Sequence, residues 1–452
     1  MKRFLHILIC LAAAATILQA QHYAVSGNDG GPWDLKTSTQ YNLPCGLSPW
    51  GYYPNPNTGR LGLKLQHFNT NGSISAEFQY ATNDPNYENI MISRLQNLSN
   101  NRYLVAGVVE VSAANPYSNG YVMLLILDPV TGNVLNSKAI RVPNALGNKV
   151  WVSDLVLNGN TVYIVGSSGT NTPYNNQMFV VKAGIDLTTN TITANWVRSY
   201  YTAAMPFNGP QPAIAYDGQT ARVFVVQPDT NGKLLLFGIN PGNGAIVTQR
   251  IGNMGIYKVK AVKMNIVKIG TIYQRFIISL AEDNTGNTIL NVAKTGVSGL
   301  SYLTQKTYPL PAGKWTLTSS ELTATGMLIG AVRTTPNISQ YNWLQFNVNN
   351  CNSISNRTYN PDRQTGLSVQ SGTTVFSLGA IKVPSQPAGV LQLAAMMPNI
   401  SCESAFSINS TATSMSFGFT NISNGLNVIS PIVDNLVILK QGSPSSVQII
   451  CQ

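Results

Sequence analysis

The chain has 452 residues, of which only 10% are charged, and its formal net charge is +11. A polar surface built from Asn, Ser, Thr, Gly and Tyr suits a sheet-rich protein with many tight turns, and it argues against a helical or disordered chain. Lysine and arginine form no run anywhere in the sequence, which argues against nucleic acid as a partner.

The first 20 residues have the parts of a secretory signal peptide. Lys2 and Arg3 provide a basic start, residues 4–17 are apolar, and Ala20 is a small residue at the end. The apolar run is shorter than the ~20 residues that a membrane-spanning helix needs. We therefore predict cleavage before Gln21. The mature chain should then be exported to the cell surface, the periplasm or the medium, without a transmembrane segment.

A unit of four short strands recurs along the chain, and its clearest copy spans residues 152–201. There, β-branched apolar runs are separated by turns rich in Asn and Gly, which favours strands over helices. The third strand of each copy begins at Leu61, Tyr121, Met178, Leu234, Thr288, Trp343 and Val390. The near-constant spacing of these starts predicts an all-β fold, a β-propeller of four-stranded blades.

The repeats also predict how the chain is divided. We expect residues 1–20 to be the signal peptide, 21–59 an N-terminal extension rich in Gly, Pro and aromatic residues, and 60–452 the propeller. The copy count favours seven blades. Strands within 414–452 would then complete the blade begun at Leu61, so that both termini close the ring and leave no free edge. Six blades followed by a separate C-terminal β unit is the alternative.

Cysteines and histidines are few. With Cys10 in the signal peptide, an exported chain would keep four cysteines as disulfide candidates, namely Cys45, Cys351, Cys402 and Cys451. Two disulfides are expected; three pairings are open, and Cys402 is the favoured partner of Cys451. A metal site is not expected, because the cysteines are far apart and the mature chain has only His22 and His67.

The turns of the repeat resemble those of known propellers. LDPVTGNVL (127–135) and GIDLTTNTITANW (184–196) are similar to the Asp-x-x-Thr-Gly-x-x-x-Trp turns of quinoprotein-type and outer-membrane-assembly-type propellers. The whole repeat resembles β-propeller repeats of secreted proteins from Bacteroidota-like bacteria. The resemblance covers residues 60 to about 409 and implies a fold, not an activity. The closing Trp is clear only at Trp196, so neither a quinone nor another cofactor is expected.

Acidic residues are scarce, which limits the sites for acid–base chemistry. Four occur in turns, where capping the backbone explains them: Asp128, Asp186, Asp217 and Asp229. Four others have no evident turn role: Glu110, Glu282, Asp283 and Glu321. No Gly-x-Ser-x-Gly motif accompanies either histidine, so a serine-hydrolase site is not expected. A pair of carboxylates could still serve glycosidic cleavage.

Aromatic residues beside predicted loops are the candidate binding residues, because rings next to amide side chains suit sugar stacking or protein contacts. They are Trp33, Trp50, Tyr52, Tyr53, Tyr117, Tyr174, Tyr200 and Tyr201. The leading hypothesis is an exported, non-enzymatic binding or scaffold protein with an envelope or extracellular protein partner. The alternative is a carbohydrate-binding or polysaccharide-degrading propeller. A cluster of two or more acids at the mouth of the channel would favour an enzyme, and an apolar or aromatic patch would favour the scaffold.

Overall fold

The computed structural model describes most of the repeat region and parts of both ends of the chain. The described residues are 22–25, 34–37, 43–50, 62–69, 74–82, 86–111, 121–142, 149–169, 177–201, 212–229, 231–252, 254–296, 302–323, 326–359, 367–371, 374–381, 390–396, 403–405, 419–420, 425–429, 432–435, 438–441 and 447–451.

These residues form seven antiparallel sheets, and the strands of each sheet follow in order from the innermost outward. Sheet 1 consists of β2 (Asp34–Thr37), β3 (Pro44–Trp50), β4 (Gly62–Phe68), β5 (Ile74–Thr82) and β33 (Ile438–Gln441). Sheet 2 consists of β6 (Tyr87–Leu98), β7 (Arg102–Val111), β8 (Tyr121–Leu127), β9 (Val134–Arg141) and β32 (Ile432–Asn435). Sheet 3 consists of β10 (Lys149–Asn158), β11 (Thr161–Gly169), β12 (Gln177–Asp186), β13 (Thr191–Tyr201) and β31 (Gly425–Ile429).

The remaining four sheets follow the same plan. Sheet 4 consists of β14 (Ala213–Asp217), β15 (Arg222–Pro228), β16 (Leu234–Ile239), β17 (Ile246–Gly252) and β30 (Phe419–Thr420). Sheet 5 consists of β18 (Lys258–Ile269), β19 (Ile272–Glu282), β20 (Thr288–Gly296) and β21 (Tyr302–Pro309). Sheet 6 consists of β22 (Lys314–Leu322), β23 (Met327–Thr334), β24 (Ser339–Phe346), β25 (Ser353–Tyr359) and β29 (Glu403–Ala405). Sheet 7 consists of β26 (Leu367–Ser371), β27 (Thr374–Ile381), β28 (Val390–Met396), β1 (His22–Val25) and β34 (Val447–Cys451).

The innermost strands close into a ring. Strands β2, β6, β10, β14, β18, β22 and β26 contact one another in that order, and β26 contacts β2 again. The fold is therefore an all-β propeller with four-stranded blades. Each repeat segment predicted as a third strand does lie third from the ring axis in its sheet.

The two chain ends are used differently from the prediction. Within the predicted N-terminal extension, 21–59, the described strands β2 and β3 are the inner strands of the sheet that contains β4. The ring is closed by β1, which pairs with β28 as the fourth strand of sheet 7. The sequence concealed this because β2 and β1 have only four residues each and β3 contains two prolines.

The C-terminal strands, predicted to complete one blade, instead form a C-terminal belt (β29–β34). Each belt strand pairs with the outer edge of a different sheet, in the order 6, 4, 3, 2, 1 and 7. The belt thus runs around the ring against the direction of the repeats and covers strand edges that would otherwise be open to pairing.

The core lies between neighbouring sheets, and the third strands supply much of it. All seven residues of β8 are buried. Tyr121, Met123, Leu125 and Leu127 face the cluster shared with sheet 1, whereas Val122, Leu124 and Ile126 face the cluster shared with sheet 3. A strand buried on both faces reads as a continuous apolar run rather than an alternating one, which is why these strands were the easiest to predict.

Tyrosine hydroxyl groups on the outer strands hydrogen-bond to turn glycines of the neighbouring sheet, joining sheet 1 to sheet 2 and sheet 3 to sheet 4. The Tyr80 hydroxyl donates to the Gly132 carbonyl at 2.8 Å, and the Tyr200 hydroxyl donates to the Gly244 carbonyl at 2.7 Å. Gly132 has φ +68° and lies so close to Phe78 that a Cβ atom there would come within 2.3 Å of the ring. The turn therefore requires glycine both for its backbone and for its packing.

Candidate ligand-binding channel

A cavity of about 310 Å³ lies on the axis of the ring. The innermost strands of all seven sheets line it, and most of the side chains they contribute are polar. Six of them are charged: Asp34, Lys36, Arg94, Asp154, Lys263 and Glu321. All six are half-buried. The cavity therefore brings three acids and three bases together in the central channel.

Irregularities in the inner strands help to place these groups. The pairing register shifts between Val152 and Asp154 in β10, and between Met91 and Arg94 in β6. A similar shift precedes Ser319 in β22. A bulge of this kind bends the strand and redirects the side chain that follows it. In each of these strands a polar residue that lines the cavity comes directly after the irregularity.

The three carboxylates accept hydrogen bonds from the backbone of the neighbouring sheet. Asp34 accepts from the Leu95 N–H at 2.7 Å, in addition to its own neighbour Leu35 at 2.9 Å. Asp154 accepts in the same way from the Ile214 N–H at 3.1 Å, and Glu321 accepts from the Gln370 N–H at 3.3 Å. The acids therefore join sheet 1 to 2, sheet 3 to 4 and sheet 6 to 7.

The three bases are held less uniformly. Arg94 donates from Nε to the Ser153 carbonyl at 2.9 Å and so joins sheet 2 to sheet 3. The Lys36 and Lys263 ammonium groups differ from it: among the described residues, neither has a carboxylate oxygen within 4.0 Å and neither donates a hydrogen bond. Two lysines that line the cavity thus have neither a hydrogen bond nor a direct ion pair in the described part of the chain.

Proton affinities in the channel are shifted by burial and by neighbouring charges. Burial raises the pKa of Glu321 to about 7, against the opposing effect of Lys36, and it also raises the pKa of Asp154. Burial lowers the pKa of Lys263 to about 8, and the positive charge of Arg94 adds to this effect. The Asp34 carboxylate raises the pKa of Lys36 despite burial. Such shifts are typical of groups gathered in a functional cleft.

Neutral polar groups complete the lining. Asn265 donates to the Ser320 hydroxyl at 2.9 Å and connects sheet 5 to sheet 6, and the Ser319 hydroxyl accepts from the Ser368 N–H at 3.4 Å. Tyr216 is stacked on Tyr163, with ring centroids 5.9 Å apart. The channel therefore offers hydroxyl, amide and phenol groups beside its charges.

The structure describes few of the predicted aromatic binding residues. Trp33, Tyr52, Tyr53, Tyr117 and Tyr174 lie outside the described residues. Trp50 is in β3 opposite Gly62 and Tyr201 is in β13 opposite Gly425, but only their backbones are described. The prediction was wrong for Tyr200, which is fully buried between sheets 3 and 4 because its ring packs in the apolar cluster there.

The structure gives different surroundings to the four acids that had no evident turn role in the sequence, Glu110, Glu282, Asp283 and Glu321. Only Glu321 lines the channel. Glu110 accepts from the Asn89 amide at 2.8 Å, Glu282 pairs with Lys260 at 3.7 Å, and Asp283 caps a turn by accepting from Thr285 and Asn287.

The turn assignments of the other acids are confirmed. Asp128 accepts from the backbone N–H groups of Val130 and Thr131. Asp186, Asp217 and Asp229 make the same kind of contact with residues two positions further on.

The sequence did not single out Asp34, Lys36, Arg94, Asp154 or Lys263. A signal was present, because Asp34, Arg94, Asp154 and the Ile214 position that contacts Asp154 are each 60 residues apart. Equivalent positions of successive blades meet around the axis of a propeller, so polar residues recurring at the repeat spacing indicate a lined channel.

The cysteine and histidine side chains that the structure describes, Cys45, Cys351 and His67, are not part of the channel lining. Cys45 and Cys351 are free thiols, buried in separate clusters in sheets 1 and 6, so no disulfide is seen at either of these two candidates. Cys402 lies outside the described residues, and only the backbone of Cys451 is described. His67 is buried in β4, where burial lowers its pKa to about 4.

Within the described ranges, no group of three or more His, Cys, Asp or Glu side chains could hold a metal ion. No helix in this part of the protein is long and apolar enough to span a bilayer.

Comparison with known proteins shows only distant structural similarity. No family model matches the chain, and no curated protein matches it. Polysaccharide lyase Uly1 is similar with 6% identity and a TM-score of 0.47, over 84% of this chain and 100% of that chain. Hydrazine synthase of Kuenenia stuttgartiensis is similar with 10% identity and a TM-score of 0.41, over 71% and 78%. Trypanosoma rangeli sialidase has 10% identity and a TM-score of 0.40, over 74% and 57%. At these values the similarities carry no argument about activity.

Proposed function

We propose that the protein is an exported, non-enzymatic β-propeller that binds a saccharide in its central channel. The observation that carries the proposal is the polar cavity lined by the inner strands of all seven sheets. Pockets for drug-sized apolar ligands are lined mainly by hydrophobic and aromatic groups. Carboxylate, ammonium, amide and hydroxyl groups instead match the donors and acceptors of a hydroxyl-rich ligand.

The size of the cavity fits this ligand class. About 310 Å³ lies at the small end of the roughly 300–1,000 Å³ found for ligand pockets. It suits a small saccharide or the end unit of a longer one. The hydrogen bonds between inner strands fix the lining groups in place, so binding requires little reordering of the protein.

A glycan array screened with the mature chain, residues 21–452, tests the proposal, with calorimetry on the strongest hits. The Asn265→Ala variant removes an amide from the cavity and should weaken binding by about tenfold, as expected for the loss of one or two hydrogen bonds. Asn195 is exposed on β13, far from the cavity lining, and Asn195→Ala is the matched control. A silent array, or equal effects of the two variants, would contradict the proposal.

Cleavage of the bound saccharide is a second candidate function. It is favoured by two groups in the same cavity that exchange protons near neutral pH, namely Glu321 with a pKa of about 7 and Lys263 with a pKa of about 8. A proton donor and a proton acceptor poised near the working pH suit general acid–base catalysis. Release of new reducing ends or unsaturated products from the bound glycan, abolished by Glu321→Gln, would establish it. An intact glycan after long incubation would leave binding as the function.

An envelope or extracellular protein partner is the other interaction that the sequence predicts. It is favoured by a row of exposed apolar side chains on the outer strands of three neighbouring sheets. Val247 (48% exposed), Leu303 (52%) and Ile354 (49%) are each the second residue of their strand. A pull-down from envelope extracts should capture a stoichiometric partner that Leu303→Lys fails to capture. The same partner with wild-type and variant would contradict this surface.

A further inference from the structure

The carboxylates and the lysines of the channel differ in their hydrogen bonding to the protein. Each carboxylate accepts at least one backbone N–H: Asp34 from Leu95, Asp154 from Ile214 and Glu321 from Gln370. The ammonium groups of Lys36 and Lys263 have no such partner among the described residues. Among the charged groups of the channel in the described residues, the two that make no hydrogen bond are therefore both cations.

Half-buried ammonium groups without partners are costly unless something neutralises them. Taking a charge out of water carries a penalty that an opposite charge with good hydrogen bonds can offset. The charge of Asp34 offsets this cost for Lys36, whose pKa is raised, but burial still lowers the pKa of Lys263. No carboxylate oxygen of the described residues lies within 4.0 Å of either ammonium nitrogen, so neither lysine has a direct ion pair there. An oxyanion of the ligand is the group that could contact them.

The other charged groups of the channel are compatible with an anion beside Lys36 and Lys263. Arg94, the third cation, also lines the cavity. Protonation of Glu321, whose burial raises its pKa to about 7, would leave the cavity with a net positive charge near neutral pH. Asp34 and Asp154 direct their charge toward backbone N–H groups at the sheet boundaries.

We infer that the ligand of the channel is an acidic saccharide whose carboxylate or sulfate is bound by Lys36 and Lys263. This inference rests on the proposed saccharide function and specifies the ligand class. Lys36 lies on the inner strand of sheet 1 and Lys263 on that of sheet 5. Both line the same cavity, so their ammonium groups approach an anion from different sides, while the hydroxyl and amide groups of sheets 5 and 6 face the ring of the sugar.

The test compares oligosaccharides of equal length that carry a carboxylate, a sulfate or no charge. Calorimetry at pH 6.5 uses a galacturonic acid oligosaccharide, its fully methyl-esterified form, and a sulfated galactose oligosaccharide of equal length. The acid or the sulfate should bind at least about tenfold more tightly than the ester, since a charged hydrogen bond is worth about 1.5–3 kcal/mol. The binding should weaken as ionic strength rises. Whichever of the acid and the sulfate binds more tightly identifies the anion.

Variants connect the charge preference to the two lysines. Lys36→Met and Lys263→Met should each lower affinity for the acidic ligand by about tenfold and leave affinity for the ester unchanged. Lys263→Arg keeps the charge and should retain the preference. Lys268, exposed on the same strand β18, provides the control Lys268→Met, which should change neither affinity. Circular dichroism confirms that each variant folds.

The outcomes separate this inference from the function on which it rests. Equal or tighter binding of the ester would overturn the acidic ligand and leave saccharide binding intact. If free sulfate or acetate binds while no saccharide binds in the array, saccharide binding is overturned and only the anion site remains. Failure of every probe would overturn both.

Discussion

The pH dependence of stability at Glu321 tests quantitatively whether this carboxyl group is buried in the channel. Burial raises its pKa from the ordinary value of 4.5 to about 7, so the folded protein holds a proton that the unfolded chain releases. At about 1.4 kcal/mol per pH unit, this difference corresponds to about 3 kcal/mol. The contribution is fully present below pH 4.5 and is lost as the pH rises through 7, because the folded state then carries a disfavoured charge.

The assay is urea unfolding of wild type and Glu321→Gln between pH 4 and 8. Gln mimics the protonated acid and keeps an acceptor for the Gln370 N–H. The two proteins should therefore have similar stability near pH 4. As the pH rises to 8, the free energy of unfolding of the variant should exceed that of wild type by up to about 3 kcal/mol, and most of this difference should develop between pH 4.5 and 7. Lys263, with a pKa of about 8, affects stability above this window.

Asp283 supplies a control of opposite sign. Hydrogen bonds from Thr285 and Asn287 lower the pKa of this exposed turn residue to about 2. Its contribution to stability is present above its ordinary pKa of 3.8 and is lost as the pH falls toward 2. In unfolding series extended down to pH 2, Asp283→Asn should therefore lose stability relative to wild type as the pH rises from 2 to 4, and the difference should stay constant between pH 4 and 8. A stability difference for Glu321→Gln that does not change with pH would refute the assignment of Glu321 to a buried channel.

Three further changes test the fold around the channel. Gly132→Ala should destabilise by at least about 2 kcal/mol more than Gly159→Ala in thermal or urea unfolding, because both positions have positive φ but only Gly132 has Phe78 within 2.3 Å of a new Cβ; equal losses would contradict the turn packing. Asp154→Ala should cost about 2–4 kcal/mol, since it leaves two backbone N–H groups without their acceptor, whereas Asp154→Asn should cost less; equal costs would contradict the hydrogen-bond role. A chain ending at residue 402 should keep its sheet signal in circular dichroism but self-associate in light scattering, because it loses the belt that covers six sheet edges; a monomer would argue against this role of the belt.

The strands that the sequence predicts well are those whose pattern is determined locally. Tyr121–Leu127 and its counterparts are buried on both faces, so they read as continuous apolar runs between turns. The Asp128 and Asp186 turns were equally predictable, because the side chain caps the backbone two residues further on.

The inner strands were harder to predict because their residues mix apolar and polar types. Asp34–Thr37 is a four-residue strand that is stabilised by the sheets on either side, and nothing within it distinguishes it from a loop. The same is true of the closing strand His22–Val25. Their roles depend on ring closure between segments hundreds of residues apart.

The candidate site was hidden for the same reason. Lys36, Asp154 and Lys263 belong to three different repeats, and no local motif relates them. Aromatic residues were predicted as the binding groups instead. Tyr200 does not fit that prediction, because it lies near the end of an outer strand and looks loop-like in sequence, yet its hydroxyl and ring both make contacts between sheets.

A crystal structure of the mature protein with an acidic oligosaccharide bound tests the central claim most directly. Sugar density should lie on the axis of the ring, with an oxyanion in contact with the Nζ atoms of Lys36 and Lys263 and hydroxyl groups near Asn265. Density confined to the outer strands or surface loops, with the channel unchanged, would contradict the claim.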